Sequence, residues 1–447
     1  MRLWLKILMV VGMTLAILVP LALIRGTIHE RQAYRNEAVR DVAANFGGPQ
    51  VFGGPVLVVP YTETVDEDVV QPDGEVRRTV QRRTGSWTFF PETLSIEGSL
   101  QPDTRRRGLH EVRVYQWDGV AKASFDVRLP PPEDAAAQRE VGRPWLSYGI
   151  ADVRGLRGTP RLQVDGAAVT PLQGIGHVDG PGLHVRLDAP DTDRIELETG
   201  IELQLRGTEA FAMMPYGRSN DLQLASPWRH PKFEGVSPQH DIDAQGFRAR
   251  WQVASVASNA QRRYLQSPAL AGEQAAGVPW TAQPEGVRVA LVDPVNPYLQ
   301  ADRATKYGLL FVMLTFVGFF MFELLKRLPI HPIQYALVGL AIAIFFLLLV
   351  SLSEHVAFGL AYLAAAVACI GLIGFYLSAV LRSTARGLGF AVMLAALYAA
   401  LYGLLVSEDN ALVLGAGLLF LILAAIMVAT RKVDWYQVAS RPGVAQG

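Results

Sequence analysis

The chain has 447 residues, in which 41 Lys and Arg residues balance 41 Asp and Glu residues. A formal net charge of zero excludes a basic nucleic-acid-binding protein, and a hydrophobic content of 50% excludes a disordered chain. The single cysteine, Cys369, excludes an intrachain disulfide framework and a cysteine-based zinc site. Only 12 of the 82 charged residues follow Tyr307, so the last third differs in composition from the rest, which excludes a single soluble globule.

The first predicted element is a transmembrane helix over residues 7–24. Its apolar run matches a hydrocarbon core of about 30 Å at about 1.5 Å per residue. A cleaved signal peptide is the alternative, because Arg2 and Lys6 precede the run, but no small-x-small cleavage site occurs before Arg25. We therefore predict an uncleaved signal anchor over residues 1–24.

A polar region, residues 25–306, follows the anchor and is long enough to form a core of its own. Helix-forming residues at its start predict that the first helix continues outward and breaks at Gly47-Gly48-Pro49. Beyond the break, apolar and polar residues alternate, which is typical of strands with one buried face. Because no helical segments alternate with these strands, we expect a β-rich domain folded as an antiparallel sandwich. The alternating segments include residues 123–129, 183–187, 195–205, 247–253 and 287–291.

Five further apolar runs predict a membrane bundle over residues 307–430, which is followed by a tail over residues 431–447. The alternative is a set of buried helices in a soluble protein, but the short loops leave no amphipathic element to cover them. With the anchor, the runs predict a six-helix transmembrane bundle that has one N-terminal and five C-terminal spans. The five runs are residues 307–325, 334–350, 356–381, 388–406 and 411–430.

The loops on one side of this bundle are basic, and those on the other side are acidic. Because basic loops stay in the cytoplasm, we predict that both termini are cytoplasmic and that residues 25–306 are periplasmic. Arginines that closely follow the first run oppose this orientation, but long translocated domains largely escape the charge rule. The basic loop residues are Lys326, Arg327, Arg382, Arg386, Arg431 and Lys432, and the acidic ones are Glu354, Glu408 and Asp409.

Several stretches of the sequence match the pattern of one known family. The early ones are Gly48-Pro49-Gln50 and Gly54-Pro55-Val56-Leu57, and a later one is Trp228-Arg229-His230-Pro231-Lys232-Phe233. The most specific ones are Asp302-Arg303-Ala304-Thr305-Lys306-Tyr307, His331-Pro332-Ile333-Gln334-Tyr335 and Ser353-Glu354-His355. With Asp434-Trp435-Tyr436 near the end, essentially the whole chain resembles the CreD family of bacterial inner membrane proteins.

The resemblance implies an inner membrane protein with a large periplasmic domain that supports envelope integrity and alters tolerance of colicins and β-lactams. It also implies that a two-component system controls expression in some bacteria. The family has no established catalytic activity or cofactor, so the resemblance assigns no catalytic, cofactor-binding or metal-ligating residue. One departure is Arg229, which stands where the family pattern Trp-Pro-His-Pro has its first proline, and it weakens any role implied for His230.

Charged residues at the outer ends of the predicted spans form the first candidate site. Glu354 and His355 lie on a short loop between two apolar runs, where a carboxylate–imidazole pair would sense protons or bind a ligand. Asp302, Arg303 and Lys306 precede the second span, and the two cations would pair with Glu354 or with lipid headgroups. The alternatives are a polar turn exposed to water and a juxtamembrane charge cluster.

An aromatic and polar segment of the outer domain is the second candidate site, for binding an envelope glycan. It contains Arg218, Asn220, Asp221, Trp228 and His230. The simpler alternative is a turn that uses Asn220 and Asp221, with Trp228 closing one end of the sandwich.

The sequence contains no nucleophile elbow, HExxH motif or P-loop, so we predict a non-enzymatic protein without a cofactor. The expected partners are the lipid bilayer and an envelope glycan, lipid or protein. A transporter or flippase, or an enzyme that acts on an envelope lipid or glycan, is the alternative, although the spans contain few ionisable residues. One of these is Glu323, for which we expect an i,i+4 ion pair with Arg327. A purely structural scaffold for partner proteins is a third possibility.

Overall fold

The computed structural model describes residues 3–70, 76–132, 138–176, 180–266, 286–291, 297–326, 331–407 and 411–431. The chain divides into two compact units. The bundle unit consists of Met1–Arg35 and Val295–Gly447, and the β unit consists of Asn36–Pro294. Except for Arg431, the predicted tail over residues 431–447 lies outside the described residues.

The helices continue beyond their apolar runs, which is why the β unit is narrower than the predicted domain over residues 25–306. The first helix ends at Phe46, and Gly47 then has a φ of 100° that favours glycine, which confirms the predicted break. The bounds are α1 Leu3–Phe46, α2 Ala260–Leu265, α3 Pro297–Lys326, α4 Pro332–Ser353, α5 Phe358–Val380, α6 Thr384–Val406 and α7 Ala411–Thr430.

The described helices include five that are long and apolar enough to cross a membrane. They are Leu8–Phe46, Tyr298–Met321, Pro332–Ser353, Phe358–Val380 and Thr384–Val406. The sixth predicted span forms α7, a helix of 20 residues that is apolar from Ala411 to Ala429. Length and composition therefore support five of the six predicted spans directly, and the structure gives the sixth as an apolar helix.

The core of the bundle unit is built from apolar stripes at helical spacing. In α1, Ile17, Leu21, Ile24 and Ile28 are buried at intervals of three and four residues, so one face of the helix packs against the bundle. At the start of α4, the His331 side chain accepts from the Ile333 amide and the Gln334 side chain accepts from the His331 amide. Aromatic rings fill the centre: Phe311, Phe316, Phe319, Tyr335, Phe345, Phe346, Tyr362, Phe390 and Tyr398.

The β unit contains two sheets. One has nine strands in the order β14-β17-β12-β1-β6-β10-β9, with β2 and β5 also paired to β1, and the other has eight in the order β15-β16-β13-β3-β4-β11-β7-β8. The strands are β1 Gln50–Val70, β2 Val76–Phe89, β3 Thr93–Arg107, β4 His110–Arg128, β5 Gln138–Val141, β6 Trp145–Ile150, β7 Leu156–Val164, β8 Ala167–Val169, β9 Leu172–Gln173, β10 Gly182–Arg186, β11 Arg194–Thr208, β12 Ala210–Met213, β13 Ser219–Ser226, β14 Pro231–Glu234, β15 Gln239–Asp243, β16 Gly246–Ala254 and β17 Val287–Leu291.

The predicted antiparallel sandwich agrees with most strand pairs, but both sheets are mixed. β1 pairs with β12 in parallel, and β3 pairs with β13 in parallel. The first parallel pair arises because β11 belongs to the eight-stranded sheet and the chain then passes at Glu209, which has a φ of 59°, into β12 of the nine-stranded sheet. Strands that arrive from distant parts of the chain in this way are not constrained by hairpins to run in opposite directions.

The buried faces of both sheets contribute to one hydrophobic cluster. In β11, burial alternates from residue to residue, as the sequence pattern predicted. The centre of the cluster is aromatic, with the Trp117 and Phe211 ring centroids 4.6 Å apart. Tyr115 is fully buried there, and its hydroxyl donates to the Ala210 carbonyl at 2.6 Å and accepts from the Gln50 amide at 3.2 Å. These bonds attach the start of β1 to the core.

Candidate functional site

Two carboxylates of the bundle unit hold α1 at one end of the bundle. Asp302 lies in the second turn of α3, and Glu354 directly follows α4 as its C-terminal cap. Because α3 and α4 are consecutive antiparallel helices, the start of one and the end of the other meet at the same end of the bundle. Both carboxylates face the part of α1 that directly follows its apolar run.

Asp302 is shared by three basic side chains. The Arg25 Nε lies 3.1 Å from Oδ1, the Lys306 Nζ lies 2.8 Å from Oδ2, and the His29 Nε2 lies 3.7 Å from Oδ1. The Asp302 side chain is only 15% exposed, whereas those of Arg25 and Lys306 are 47% and 53% exposed. A mostly buried carboxylate therefore orients two exposed permanent cations, one from α1 and one from its own helix.

Glu354 makes the second contact with α1. Its Oε1 accepts from the Tyr298 hydroxyl at 3.2 Å and lies 3.7 Å from the Arg31 Nε. The Glu354 side chain is only 7% exposed, so a lost partner would leave a poorly solvated charge. Because the arginines are about half exposed, we assign each ion pair with α1 about 1 kcal/mol.

The other residues of the predicted coupling site do not make the contacts that the sequence suggested. Lys306 pairs with Asp302, and not with Glu354 as the sequence suggested. His355 is exposed, and its Nδ1 lies 3.1 Å from the Ser351 carbonyl, whereas Glu354 faces Tyr298 and Arg31. The structure thus gives the two members of the predicted carboxylate–imidazole pair separate partners. Arg303 lies half-buried beside Asp302 on α3.

Sequence reasoning missed that α1 supplies a partner to both carboxylates. Arg25 and Arg31 supply the cations, and they belong to the group of arginines that opposes the predicted orientation. That excess of positive charge was the available signal, since several cations directly beside an apolar span indicate a carboxylate partner nearby.

Glu323 and Tyr335 form a buried polar pair near the other end of the bundle unit. The Tyr335 hydroxyl donates to the Glu323 Oε2 at 2.9 Å, and Glu323 is only 4% exposed. Arg327, the predicted partner of Glu323, lies outside the described residues.

The predicted glycan-binding residues separate into two groups at opposite ends of β13. Asn220, near its start, is buried and bonds to the amide and carbonyl of Gly217 and to the Val253 carbonyl. Asp221 pairs with Arg250, and Arg218 pairs with Glu92. The Arg250 guanidinium holds the pKa of the Asp221 carboxyl below its usual value.

Trp228 and His230 follow the far end of this strand. At about 3.3 Å per residue, the strand from Asn220 to Ser226 alone spans about 20 Å, so the structure does not bring the five residues into one site. The Trp228 indole packs against the core, donates to the His230 carbonyl at 2.9 Å and carries the Arg113 guanidinium 5.0 Å from its centroid. These contacts favour the alternative reading, a turn and an aromatic plug. Among the described residues, no group of three or more His, Cys, Asp or Glu could hold a metal ion.

The last turn of α1 is held within the β unit by a second set of polar contacts. The Arg154 Nη1 donates to the Ala44 carbonyl at 3.2 Å, and Asp152 accepts from the Gly48 amide at 3.0 Å. The Gln50 side chain donates to the backbone carbonyls of Asp152 and Arg206 at 2.9 and 2.8 Å. The bond from Arg154 satisfies one of the carbonyls that the end of a helix leaves without a partner, and the other bonds attach the segment that follows α1.

Two comparisons with known proteins cover nearly the whole chain. Residues 2–436 match the sequence model of a family described as "Inner membrane protein CreD". The chain is 35% identical over 432 residues to the inner membrane protein CreD of Escherichia coli (strain K12). The alignment covers 95% of this chain and 92% of that relative.

Proposed function

Because the chain belongs to the CreD family of inner membrane proteins, we propose that it supports cell-envelope integrity without catalysing a reaction. In this proposal α1 couples the state of the β unit to that of the membrane bundle. The β unit is periplasmic and responds to an envelope glycan, lipid or protein, and both termini are cytoplasmic. The basic loops around Lys326, Arg382 and Arg431 support this orientation.

The observation that carries the proposal is the continuity of α1 between two sets of contacts. Its 44 residues form one helix of about 66 Å. Asp302 and Glu354 bind its arginines in the bundle unit, and Arg154 binds its last turn in the β unit, where Asp152 binds the Gly48 amide directly after it. Between Arg25 and Ala44 the helix contains no proline, and such a hydrogen-bonded segment transmits a displacement or rotation along its length, whereas a flexible linker would absorb it.

The test weakens the membrane-side contacts of α1 in the full-length protein. Asp302→Asn with Glu354→Gln removes both carboxylate charges and weakens the contacts by about 2 kcal/mol in total. In a strain that lacks the native gene, we expect this variant to restore β-lactam and detergent tolerance poorly at normal membrane levels. The control is Asp188→Asn with Glu202→Gln, which removes two exposed carboxylates from the β unit and should restore tolerance fully.

Full tolerance in the Asp302→Asn, Glu354→Gln strain would refute the coupling role of these contacts. Equal loss in the control strain would instead indicate a dependence on net charge, which also contradicts the proposal. Immunoblots of the membrane fraction and protease resistance of the β unit show whether each variant is inserted and folded.

One observation favours a second function, transport of a polar substrate through the bundle. The buried Glu323–Tyr335 pair places an ionisable group inside the bundle unit, where such groups often lie on substrate or proton paths. Glu323→Gln keeps the shape of the side chain and removes its charge. If transport is the function, this variant should lose tolerance while Asp302→Asn with Glu354→Gln retains it, which is the reverse of the result expected for coupling.

A further inference from the structure

The cations around Asp302 exceed the negative charge that they neutralise. Arg25 and Lys306 both contact this one carboxylate, which leaves a formal excess of one positive charge, and His29 adds a second when it is protonated. The carboxylate is mostly buried, so it fixes the direction of both cations. Arg25 directs its Nε–H to Asp302, and a guanidinium carries four further N–H donors.

Arg25 and Lys306 lie where the apolar runs of their helices begin or end, which is the depth at which lipid headgroups lie. Arg25 directly follows the apolar run of α1, and Lys306 directly precedes that of α3. The acyl chains of a phospholipid would therefore run towards the apolar parts of both helices while its phosphate lies level with the cations. This holds whichever side of the membrane the group faces.

An apolar track on α3 continues directly from the cations. Asp302, Lys306, Leu309 and Met313 follow one another at intervals of three or four residues, so they share one face of the helix. Leu309 and Met313 are 43% and 42% exposed, as is expected of side chains that contact lipid. Lys306 and an exposed apolar stripe thus lie on the same face of α3, and Arg25 of α1 contacts the same carboxylate as Lys306.

From this arrangement we infer that Arg25 and Lys306 form a binding site for the phosphodiester of an anionic phospholipid. The excess charge selects a headgroup with a net negative charge over a zwitterionic one. Asp302 competes with the phosphate for the same cations, so it positions the site but lowers its affinity. The site is independent of the coupling proposed for α1, since it requires only the cations and the apolar stripe.

The experiment measures lipid binding to the full-length protein in detergent. Native mass spectrometry resolves one bound lipid from two, and the probes are phosphatidylglycerol and phosphatidylcholine. Each interfacial cation changes affinity for an anionic lipid about fivefold, so Arg25→Gln with Lys306→Gln should weaken the tightest phosphatidylglycerol step about 30-fold. Binding of phosphatidylcholine should not change. Asp302→Asn should instead strengthen phosphatidylglycerol binding about fivefold.

Two control variants separate the site from general effects. Arg143→Gln with Arg161→Gln removes two exposed cations from the β unit and should leave phosphatidylglycerol binding unchanged. Arg25→Lys with Lys306→Arg keeps both charges and should retain affinity within about twofold. Equal binding by the Arg25→Gln, Lys306→Gln variant, or equal loss in either control, would overturn the inference.

A free inorganic anion is the other ligand that the same two cations could bind. If inorganic phosphate displaces phosphatidylglycerol from the wild-type protein at equal concentration, the site binds free phosphate and the lipid assignment is wrong. If Asp302→Asn lowers envelope tolerance and also strengthens lipid binding, each proposal is supported by its own measurement. If it leaves lipid binding unchanged, only the lipid site is overturned.

Discussion

At the scale of single residues, the core of the β unit depends on two glycines that make room for one indole. Gly98 and Gly119 face each other across β3 and β4, and a Cβ at either position would overlap the Trp117 ring. The glycines are therefore required by the packing of Trp117, although both would weaken an ordinary strand.

We expect Gly119→Ala to lower the stability of the β unit by about 2 kcal/mol or more, because the indole and its neighbours must shift. This corresponds to a fall of roughly 4–8 °C in the thermal midpoint of the purified full-length protein, followed by tryptophan fluorescence. Gly200→Ala in β11 is the matched control, since the nearest atom to its added methyl is the Lys122 Cγ at 3.9 Å. Equal midpoints for the two variants would show that the Trp117 packing tolerates a methyl group.

The lowered pKa of the Asp152 carboxyl predicts how the stability of the β unit depends on pH. Hydrogen bonds from Arg154, together with the Gly48 amide, hold the pKa of its carboxyl below the ordinary value of 3.8. A carboxyl whose pKa is lower in the folded state stabilises the fold above its unfolded pKa, and this contribution is lost as the pH falls through the folded pKa.

Asp152→Asn should therefore lower the stability of the β unit at neutral pH, by about 2 kcal/mol for the lost charged hydrogen bonds. The difference in thermal midpoint between wild type and variant should stay constant above about pH 5 and narrow below about pH 4. A difference that stays constant down to acid unfolding would mean that the neutral hydrogen bonds alone account for the effect.

At the scale of elements, the rigidity of α1 is the property on which the coupling proposal depends. Asn36 is exposed and lies between the arginines of the bundle unit and the last turn of the helix. Proline at this position removes a backbone hydrogen bond and costs the helix about 3 kcal/mol or more, whereas alanine favours it.

We expect Asn36→Pro to abolish β-lactam tolerance at normal membrane levels and Asn36→Ala to retain it. The strains are compared by survival, and proteolysis of the β unit tests whether its fold persists. A fully tolerant Asn36→Pro strain would show that a continuous helix is not needed, even if the contacts at its two ends are.

The strands also show which structural features a sequence pattern can predict and which it cannot. Alternation along residues 195–205 and 247–253 identified strands and their buried faces correctly, because a strand's period of two is a local property. It could not identify the parallel partners of β1 and β3, because those pairings join distant segments. Likewise, Arg25 and Asp302 are 277 positions apart, so no local pattern connects them.

The second candidate site illustrates the same limit for side chains. The sequence placed Asn220 and Trp228 within nine residues, and proximity in sequence suggested one binding surface. An extended strand separates them in space, and each is occupied by its own structural contacts. Knowledge of secondary structure alone would have been sufficient to place the two residues at opposite ends of a strand.

At the scale of the whole molecule, the orientation of the chain decides where the β unit acts. The prediction can be tested with the single native cysteine left in place, because Cys369 is buried in the bundle unit and should react slowly with a polar maleimide. Asp188, whose side chain is 94% exposed, provides a reporter position in the β unit. Arg386, exposed near the start of α6, provides one at the end of the bundle predicted to be cytoplasmic.

In cells whose outer membrane is permeabilised, a membrane-impermeant maleimide should label Asp188→Cys and leave Arg386→Cys unlabelled until the inner membrane is lysed. This labelling pattern is expected because the loops at one end of the bundle are rich in arginine and lysine, and such loops stay in the cytoplasm. The reverse pattern would place the β unit in the cytoplasm. Arg25 and Lys306 would then lie at the inner leaflet, whose anionic lipids the same cations would bind. The coupling proposal would be wrong, because it requires a β unit that responds to a periplasmic signal.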